Sequence, residues 1–96
     1  MGEGAYFVHI LASGRHGTLY VGITNNIDRR LIEHRTGAIS GFASRYRVDR
    51  LVHVEAFGEV QQAIQREKTL KKWPRDWKVN LIERDNPDWA DLAPGG

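Results

Sequence analysis

The segment from residue 19 to residue 34 joins a short apolar strand to a helix that carries guanidinium and imidazole groups. Tyr20 and Gly22 lie in the strand, and Arg30 and His34 follow at i,i+4 spacing, on one flank of the helix. A tyrosine hydroxyl can bind phosphate or water, and a glycine lets a phosphate approach the backbone. A guanidinium matches two phosphoryl oxygens and stays protonated. These residue types at this spacing indicate chemistry on a phosphodiester.

Each of these residues also has an ordinary structural interpretation. Tyr20 suits a core position in an isolated strand, and Arg30 suits a solvated helix position. His34, close to Ile27 and Leu31 in projection, suits a half-buried histidine. Only the joint arrangement favours a site.

Glu67 is a second candidate, because it falls on the face that its helix is expected to bury. On a helical wheel it lies beside three apolar residues, Val60, Ala63 and Ile64. A carboxylate in that position is costly unless it is paired or binds a metal. Two interpretations stay open. One is an i,i+4 ion pair with Lys71, and the other is a ligand for one Mg²⁺ ion, whose shell water and substrate phosphate would complete.

The elements that must position these residues follow from the hydrophobic pattern. The sequence predicts a hairpin of two strands, a helix, an irregular loop, a third strand and two final helices. The expected bounds are 6–11, 18–23 and 51–57 for the strands, and 27–36, 60–73 and 74 to about 83 for the helices. The fold class is therefore α/β (α+β): a small, three-stranded, mostly antiparallel sheet flanked by helices, in the order β-β-α-β-α-α. We expect residues 1–96 to form one domain with an ordered core at about 5–92.

The composition excludes several classes of protein. The 96 residues include no cysteine, which excludes disulfide frameworks and thiolate metal sites. The four histidines lack the pair spacing of a structural zinc site. No apolar run approaches the ~20 residues of a membrane span, and the first residues lack the blocks of a signal peptide. These features predict a cytoplasmic protein without a membrane partner.

Positive charge is concentrated in two segments. Residues 29–50 and residues 66–78 each contain six lysines or arginines against two acids, although the net charge of the chain is only +2. This asymmetry favours a polyanionic partner, with ordinary surface charge as the alternative. The expected nucleic-acid contacts are Arg45, Lys71, Lys72 and Arg75. Trp73 and Trp77 fit either core positions or a platform that stacks on unpaired bases.

Three sequence blocks together resemble the GIY-YIG nuclease superfamily. They are Tyr20-Val21-Gly22, the run from Asn26 to His34, and Arg66-Glu67-Lys68 before Leu70-Lys71-Lys72-Trp73. The likeness is to small stand-alone bacterial members, similar to the N-terminal nuclease domain of the repair excinuclease. It covers residues 6–92, nearly the whole chain. It implies a GIY-YIG endonuclease-like fold and hydrolysis of phosphodiester bonds in DNA.

The resemblance also implies roles for individual residues. Tyr20 matches the tyrosine that contacts the scissile phosphate or helps to activate water. Arg30 matches the arginine that neutralises developing charge, and His34 matches the histidine near the phosphate. Glu67 matches the single metal-binding glutamate, which implies one Mg²⁺ or Mn²⁺ ion. Asn86 is a candidate counterpart of a late asparagine that some relatives use.

The first half of the family motif is altered in this chain. Phe7-Val8-His9 stands where the family has Gly-Ile-Tyr, so His9 replaces a tyrosine that relatives direct at the attacking water. An imidazole, with an ordinary pKa near ~6.5, accepts a proton at neutral pH more readily than a phenol near ~10.

Two interpretations of function therefore stay open. The first is a divalent-metal-dependent endonuclease with His9 as a working base, acting on damaged, branched or single-stranded DNA in repair. The second is a nucleic-acid-binding module of the same fold with attenuated catalysis. The expected partner is DNA, with RNA as the alternative substrate. A protein partner is compatible with the sequence but is not identified by it.

Overall fold

Strands and helices follow one another in the order that the hydrophobic pattern predicts. The computed structural model describes residues 5–36 and 47–93. Its elements are β1 (Tyr6–Ala12), β2 (Leu19–Thr24), α1 (Ile27–Thr36), β3 (Arg50–Phe57), α2 (Val60–Lys72) and α3 (Arg75–Asp85). Each bound lies within two residues of its prediction, and the order β-β-α-β-α-α is confirmed. None of these three helices has the length and apolar character that crossing a membrane requires.

The sheet has β1 at its centre and β2 and β3 at its edges. Both neighbours pair with β1 in the antiparallel sense, which confirms the predicted three-stranded sheet. The turn between β1 and β2 is held by the Ser13 hydroxyl, which accepts a hydrogen bond from the Thr18 backbone N–H at 2.9 Å. The pairing of β1 with β3 shifts register between Ile10 and Leu11. Because β2 is an edge strand, groups next to it can reach a ligand at the border of the sheet.

Alternation along the strands gives the sheet two differently covered faces. One face packs against α2 and α3 through a cluster that includes Val8, Ile10, Ala63, Leu70, Leu81 and Ile82. The other face packs against α1 through Leu11, Leu31, Val48 and Leu51, with Tyr20 and Ile27 at the margin. Burial of side chains of this size contributes roughly 1.5–3 kcal/mol each. His9 lies on the α1 face, because it alternates with Val8 and Ile10.

The first turn of α1 is fixed by side chains from the end of β2. The Thr24 hydroxyl accepts a hydrogen bond from the Asn26 backbone N–H at 3.1 Å. The side-chain oxygen of Asn26 then accepts one from the Arg29 N–H at 3.0 Å. Such caps satisfy backbone donors that a helix leaves free, and each contributes about 1 kcal/mol.

The segment after α3 crosses back to the sheet and to α1. Asp91 Oδ1 accepts a hydrogen bond from the Leu51 N–H at 3.3 Å, and the Leu92 N–H donates to the Leu51 carbonyl at 2.8 Å. Arg35, in the last turn of α1, donates from Nη2 to Asp91 Oδ2 at 2.8 Å. One carboxylate therefore ties the end of α1 to the start of β3.

Asn86 has a structural role. Its buried amide donates to the Val52 carbonyl at 3.2 Å and to the Ala90 carbonyl at 2.9 Å. Its side-chain oxygen accepts from the Ala90 N–H at 3.0 Å. These three bonds use the amide to hold the turn after α3 against β3, so its suggested match to a catalytic asparagine is not supported.

Candidate active site

The hairpin and α1 bring together four of the predicted site residues: His9, Tyr20, Arg30 and His34, called the β1–α1 cluster below. The Tyr20 ring lies close to both imidazoles, with centroid distances of 6.5 Å to His9 and 5.1 Å to His34. The second contact is edge to face. The positive charge of Arg30 is near enough to affect the pKa of each histidine. The cluster therefore combines one fixed cation, one phenol and two imidazoles.

The β1–α1 cluster contains buried nitrogens that have no hydrogen-bond partner within the protein. They are His9 Nδ1, His9 Nε2, Arg30 Nε and His34 Nε2. In residues 5–36 and 47–93, these are all of the buried side-chain nitrogens and oxygens without such a partner. A buried polar group without a partner costs roughly 1–3 kcal/mol, and concentration of several at one place is typical of a functional site.

Arg30 lies at the β2 edge of the sheet. Its Nη2 is 3.4 Å from the Ile23 carbonyl oxygen, and its Nε is 3.9 Å from Glu33 Oε1. Both distances are long, and the side chain is 29% exposed. Long contacts to neutral or solvated partners hold a guanidinium only weakly. The group is therefore oriented and still able to bind a phosphoryl oxygen.

The local environment lowers the pKa of both histidines. Burial lowers the pKa of His9 to about 4, with further lowering by the charges of Arg30 and His34. Burial and then Arg30 lower the pKa of His34, against opposing effects of a hydrogen bond with the Val48 backbone and of nearby carboxylates. Both imidazoles are therefore neutral at pH 7, and each can accept a proton or a hydrogen bond. His9 is a weak base at this pKa, and its side chain is completely buried.

The stability of the protein should fall as the pH drops from about 6.5 toward 4. In this range an unfolded chain binds a proton at His9, whose ordinary pKa is 6.5, whereas the folded chain does not until its pKa of about 4. The full difference corresponds to roughly 3 kcal/mol. Urea unfolding at several pH values should show that the free energy of unfolding of His9→Gln depends less steeply on pH than that of the parent. An unchanged slope in His9→Gln would contradict this assignment.

Gly22 makes room for the aromatic side chains of the β1–α1 cluster. It lies directly opposite His9 in the hairpin. A Cβ atom placed on Gly22 would lie 3.0 Å from His9 Cε1, His9 Nε2 and Tyr20 Cε1. A phosphate therefore cannot approach the Gly22 backbone on this side, contrary to what the sequence suggested, because the His9 and Tyr20 rings occupy the space where a side chain would lie. The glycine serves the site by letting His9 and Tyr20 lie over the backbone.

Gly22→Ala should reduce catalysis in a protein that stays folded. The added methyl group must move the His9 or Tyr20 ring by a few tenths of an ångström. Misplacement of a reacting group by about 1 Å costs roughly 10²-fold in rate, so a smaller loss is expected here. Overpacking of this kind costs about 1–3 kcal/mol of stability. The measurements are the cleavage rate and urea unfolding of the same samples. Gly58→Ala is the matched control, because nothing lies within 4 Å of its added Cβ. Parental cleavage by Gly22→Ala would show that the ring positions do not matter.

Comparison with known proteins identifies the family of the chain. Residues 5–80 match the family model described as the GIY-YIG catalytic domain. The chain belongs to the GIY-YIG family. It is 32% identical to a UPF0213 protein of Bacillus licheniformis over 94 residues, which cover 98% of this chain and 96% of the relative. It is 38% identical to a UPF0213 protein of Syntrophus aciditrophicus over 72 residues, or 74% and 82% of the two chains. The solution NMR structure of the UPF0213 protein BH0048 from Bacillus halodurans superposes with a TM-score of 0.57 at 25% identity, covering 96% and 97%.

Glu67, the predicted metal ligand of this GIY-YIG chain, lies on α2 and therefore on the opposite side of the sheet from α1. Its side chain is only 15% exposed, in agreement with its expected position on the buried flank of the helix. Its Oε2 atom is 2.8 Å from Lys71 Nζ, so the i,i+4 ion pair is formed. α2 packs across β1 and the edge strand β2. The structure therefore brings together the four residues of the β1–α1 cluster, whereas Glu67 lies on the helix that covers the other face of the sheet.

The donor chemistry of Glu67 suits a divalent ion that is held mainly by its substrate. Among residues 5–36 and 47–93, no group of three or more acidic, histidine or cysteine side chains has metal-binding geometry. Mg²⁺ is commonly held by one or two carboxylates together with water and substrate phosphate. A single half-buried carboxylate satisfies that requirement. Lys71 is 54% exposed, so its ammonium can leave the carboxylate at a small cost.

The four residues predicted to contact nucleic acid have different surroundings. Lys72 is exposed, whereas Lys71 is exposed but paired with Glu67. Arg75 donates from Nη2 to the backbone carbonyls of His16 and Gly17 at 2.9 and 2.7 Å, so it fastens α3 to the hairpin turn. Arg45 lies outside the described residues. Of these four residues, Lys72 is therefore the one whose exposure agrees best with the predicted contact to nucleic acid.

Three features near these residues were not predicted from the sequence. One is the packing of the His9 and Tyr20 rings against Gly22, in the space that a side chain at that position would occupy. Another is the His53–Glu55 contact at 2.8 Å, part of a network with Arg66 on the α2 face. The third is the alignment of Trp77 with Asn80 and Arg84 along one face of α3, which helical spacing could have indicated.

Proposed function

We propose that the protein is a divalent-metal-dependent endonuclease that hydrolyses phosphodiester bonds in DNA. The main support is the concentration of unpaired buried nitrogens in the β1–α1 cluster, beside the half-buried Tyr20 and the weakly held Arg30. Membership of the GIY-YIG family supports the same class of reaction. Neutral imidazoles and a permanently charged guanidinium suit chemistry beside a phosphoryl group.

Tyr20, which is half-buried, is the group that orients the attacking water. His9 and His34 are both buried, and the Nε2 atoms of both rings have almost no accessible surface, so they act on the water only through Tyr20. His9 positions the Tyr20 ring above Gly22, and the neutral His34 packs edge to face with the same ring. The proton of the water passes to solvent. The water oxygen forms a bond to phosphorus as the bond to the leaving oxygen breaks. Arg30 stabilises the negative charge that builds up on the phosphoryl oxygens.

Glu67 would hold the divalent ion, Mg²⁺ or Mn²⁺. When bound, such an ion polarises the phosphate and stabilises the leaving oxygen. Within the protein, Glu67 supplies a single negative charge on the buried flank of α2, and Lys71 balances that charge.

The substrate class follows from the distribution of charge. The junction of α2 and α3 is strongly basic, since residues 66–78 contain six lysines or arginines against two acids. Lysines attract the phosphate backbone without reading its sequence. We therefore assign substrates by DNA structure, such as branched, damaged or single-stranded features that arise in repair, and not by base sequence.

A cleavage panel tests this function. Duplex, nicked, flap and single-stranded DNA, together with an RNA control, are incubated with the protein in the presence of Mg²⁺, Mn²⁺ or a chelator. The proposal expects nicking that requires the divalent ion and that differs among the structures. Salt-sensitive binding without product under any of these conditions would instead identify a binding module of the same fold.

A further inference from the structure

α3 carries an exposed aromatic surface that the proposed chemistry does not use. Trp77 is 55% exposed, and its ring meets that of the partly buried Trp73 edge to face, at 5.6 Å and an interplanar angle of 78°. The two rings line a cavity of about 320 Å³ together with Asn80, Leu81 and Arg84. This cavity is called the Trp73–Trp77 pocket below. Of the two interpretations left open by the sequence, Trp73 takes the core position, because it packs against the main core, whereas Trp77 is exposed.

The Trp73 wall of the pocket is held in place from behind. The guanidinium of Arg66 lies over the Trp73 ring, 5.2 Å from its centroid. Arg66 is itself held by Glu55 through two hydrogen bonds, from Nε at 2.8 Å and from Nη2 at 3.0 Å. Charge-assisted bidentate pairs of this kind fix both partners. The pocket therefore presents a preformed aromatic corner, with one ring fixed and the other exposed.

The charge around the pocket suits a polyanion better than a protein surface. Lys72 precedes Trp73, Asp76 and Lys78 flank Trp77, and Arg84 lines the pocket, so basic groups outnumber acids beside the two rings. Arg84 also contacts Asp85 at 3.1 Å, but both side chains are largely exposed and such a pair is weak. The centres of protein–protein interfaces are depleted in charged residues, whereas single-stranded nucleic acids bind where aromatic rings are set among basic residues.

We infer that the Trp73–Trp77 pocket binds an unpaired base of a single-stranded nucleic acid. The base stacks on the exposed ring of Trp77 and meets the edge of Trp73. Asn80, one helical turn along α3, offers an amide to the edge of the base, and Arg84, a further turn along, binds the adjoining phosphate. The inference rests on the proposed function in taking nucleic acid as the substrate, and it adds preference for an unpaired segment.

The test compares Trp77→Ala with the parent protein in binding to labelled single-stranded and duplex DNA. Fluorescence anisotropy at moderate salt limits the contribution of unspecific phosphate contacts. Loss of one stacking ring should weaken single-strand binding by about tenfold. Trp77→Phe should retain most of the affinity, and binding to duplex DNA should be unchanged in both variants. Val60→Ala, which alters another exposed apolar residue, is the matched control.

The outcomes separate this inference from the proposed nuclease function. Because Trp77 is exposed, circular dichroism should show a folded variant. Equal loss of affinity for single-stranded and duplex DNA would overturn base stacking. Unchanged single-strand affinity, accompanied by Trp77-dependent binding of another protein, would overturn the inference in favour of a protein interface. If the parent protein does not cleave DNA but binds single strands in a way that depends on Trp77, the nuclease proposal is contradicted and this inference is not.

Discussion

Replacing Arg30 by alanine should lower the rate of DNA cleavage by roughly 10²- to 10³-fold, the usual effect of removing one preorganised group from a developing anion. Arg30 is the cation of the β1–α1 cluster, and the protein holds it only through contacts of 3.4 and 3.9 Å. Its guanidinium therefore remains available to phosphoryl oxygens. Single-turnover cleavage with saturating protein measures the effect on the chemical step. Arg30→Lys should recover part of the rate, because it restores charge without the planar fork.

A second measurement tests whether the charge of Arg30 lies close to His9 and His34, as in the structure. Its charge contributes to the lowered pKa of His9 and of His34, so both pKa values should rise in Arg30→Ala. NMR titration of the imidazole protons would measure this change directly. Arg29→Ala is the matched control, since Arg29 is exposed on the same helix and bonds to Asn25 at 3.3 Å. Loss of cleavage in both variants would point to general electrostatic attraction of DNA and away from a specific role of Arg30.

Glu67→Gln should lower the rate of metal-dependent cleavage by roughly 10²- to 10⁴-fold, because a bound ion stabilises the transition state by several kcal/mol. Glutamine keeps the shape of the side chain but removes the charge that a divalent ion requires. The fold should be little affected, because an i,i+4 ion pair on a helix contributes only about 0.2–0.5 kcal/mol. The measurements are cleavage rates across a range of Mg²⁺ and Mn²⁺ concentrations, with thermal unfolding as the check on folding.

Lys71→Met separates the two interpretations of Glu67. It removes the 2.8 Å ion pair while leaving the carboxylate intact. If Glu67 holds the ion, Lys71→Met retains substantial cleavage at saturating substrate. If the only role of Glu67 is its ion pair with Lys71, Glu67→Gln and Lys71→Met should have similar, small effects on cleavage and on stability. Similar effects would therefore count against the metal-site assignment.

The elements of the fold could be predicted because each carries a local signal. β-Branched and aromatic runs mark the strands, Thr24 and Asn26 mark the start of α1, and Pro74 marks the break between α2 and α3. The i,i+4 spacing of Arg30 and His34 likewise follows from the helix period. These signals depend on neighbours within a few residues, which a single sequence displays.

The remaining features depend on contacts between distant segments. The complete burial of His9 arises because α1 covers the centre of β1, and this burial lowers the pKa of His9 to about 4. The sequence alone was compatible with His9 as a working base, on the ordinary pKa of an imidazole. Similarly, the exposure of Trp77 and the structural use of Asn86 depend on how α3 and the segment after it lie against the sheet. Helical and strand periods do not contain this information.

The attachment of α1 at both ends has a consequence for the energetics of the reaction. The Thr24 and Asn26 side chains fix its first turn, and the Arg35–Asp91 pair fixes its last turn to β3. These contacts hold both ends of α1 next to the sheet. The folding of residues 5–36 and 47–93 therefore sets the positions of Arg30 and His34 in advance. Little reorganisation of these groups is then left for the moment at which the phosphorus atom changes its bonding.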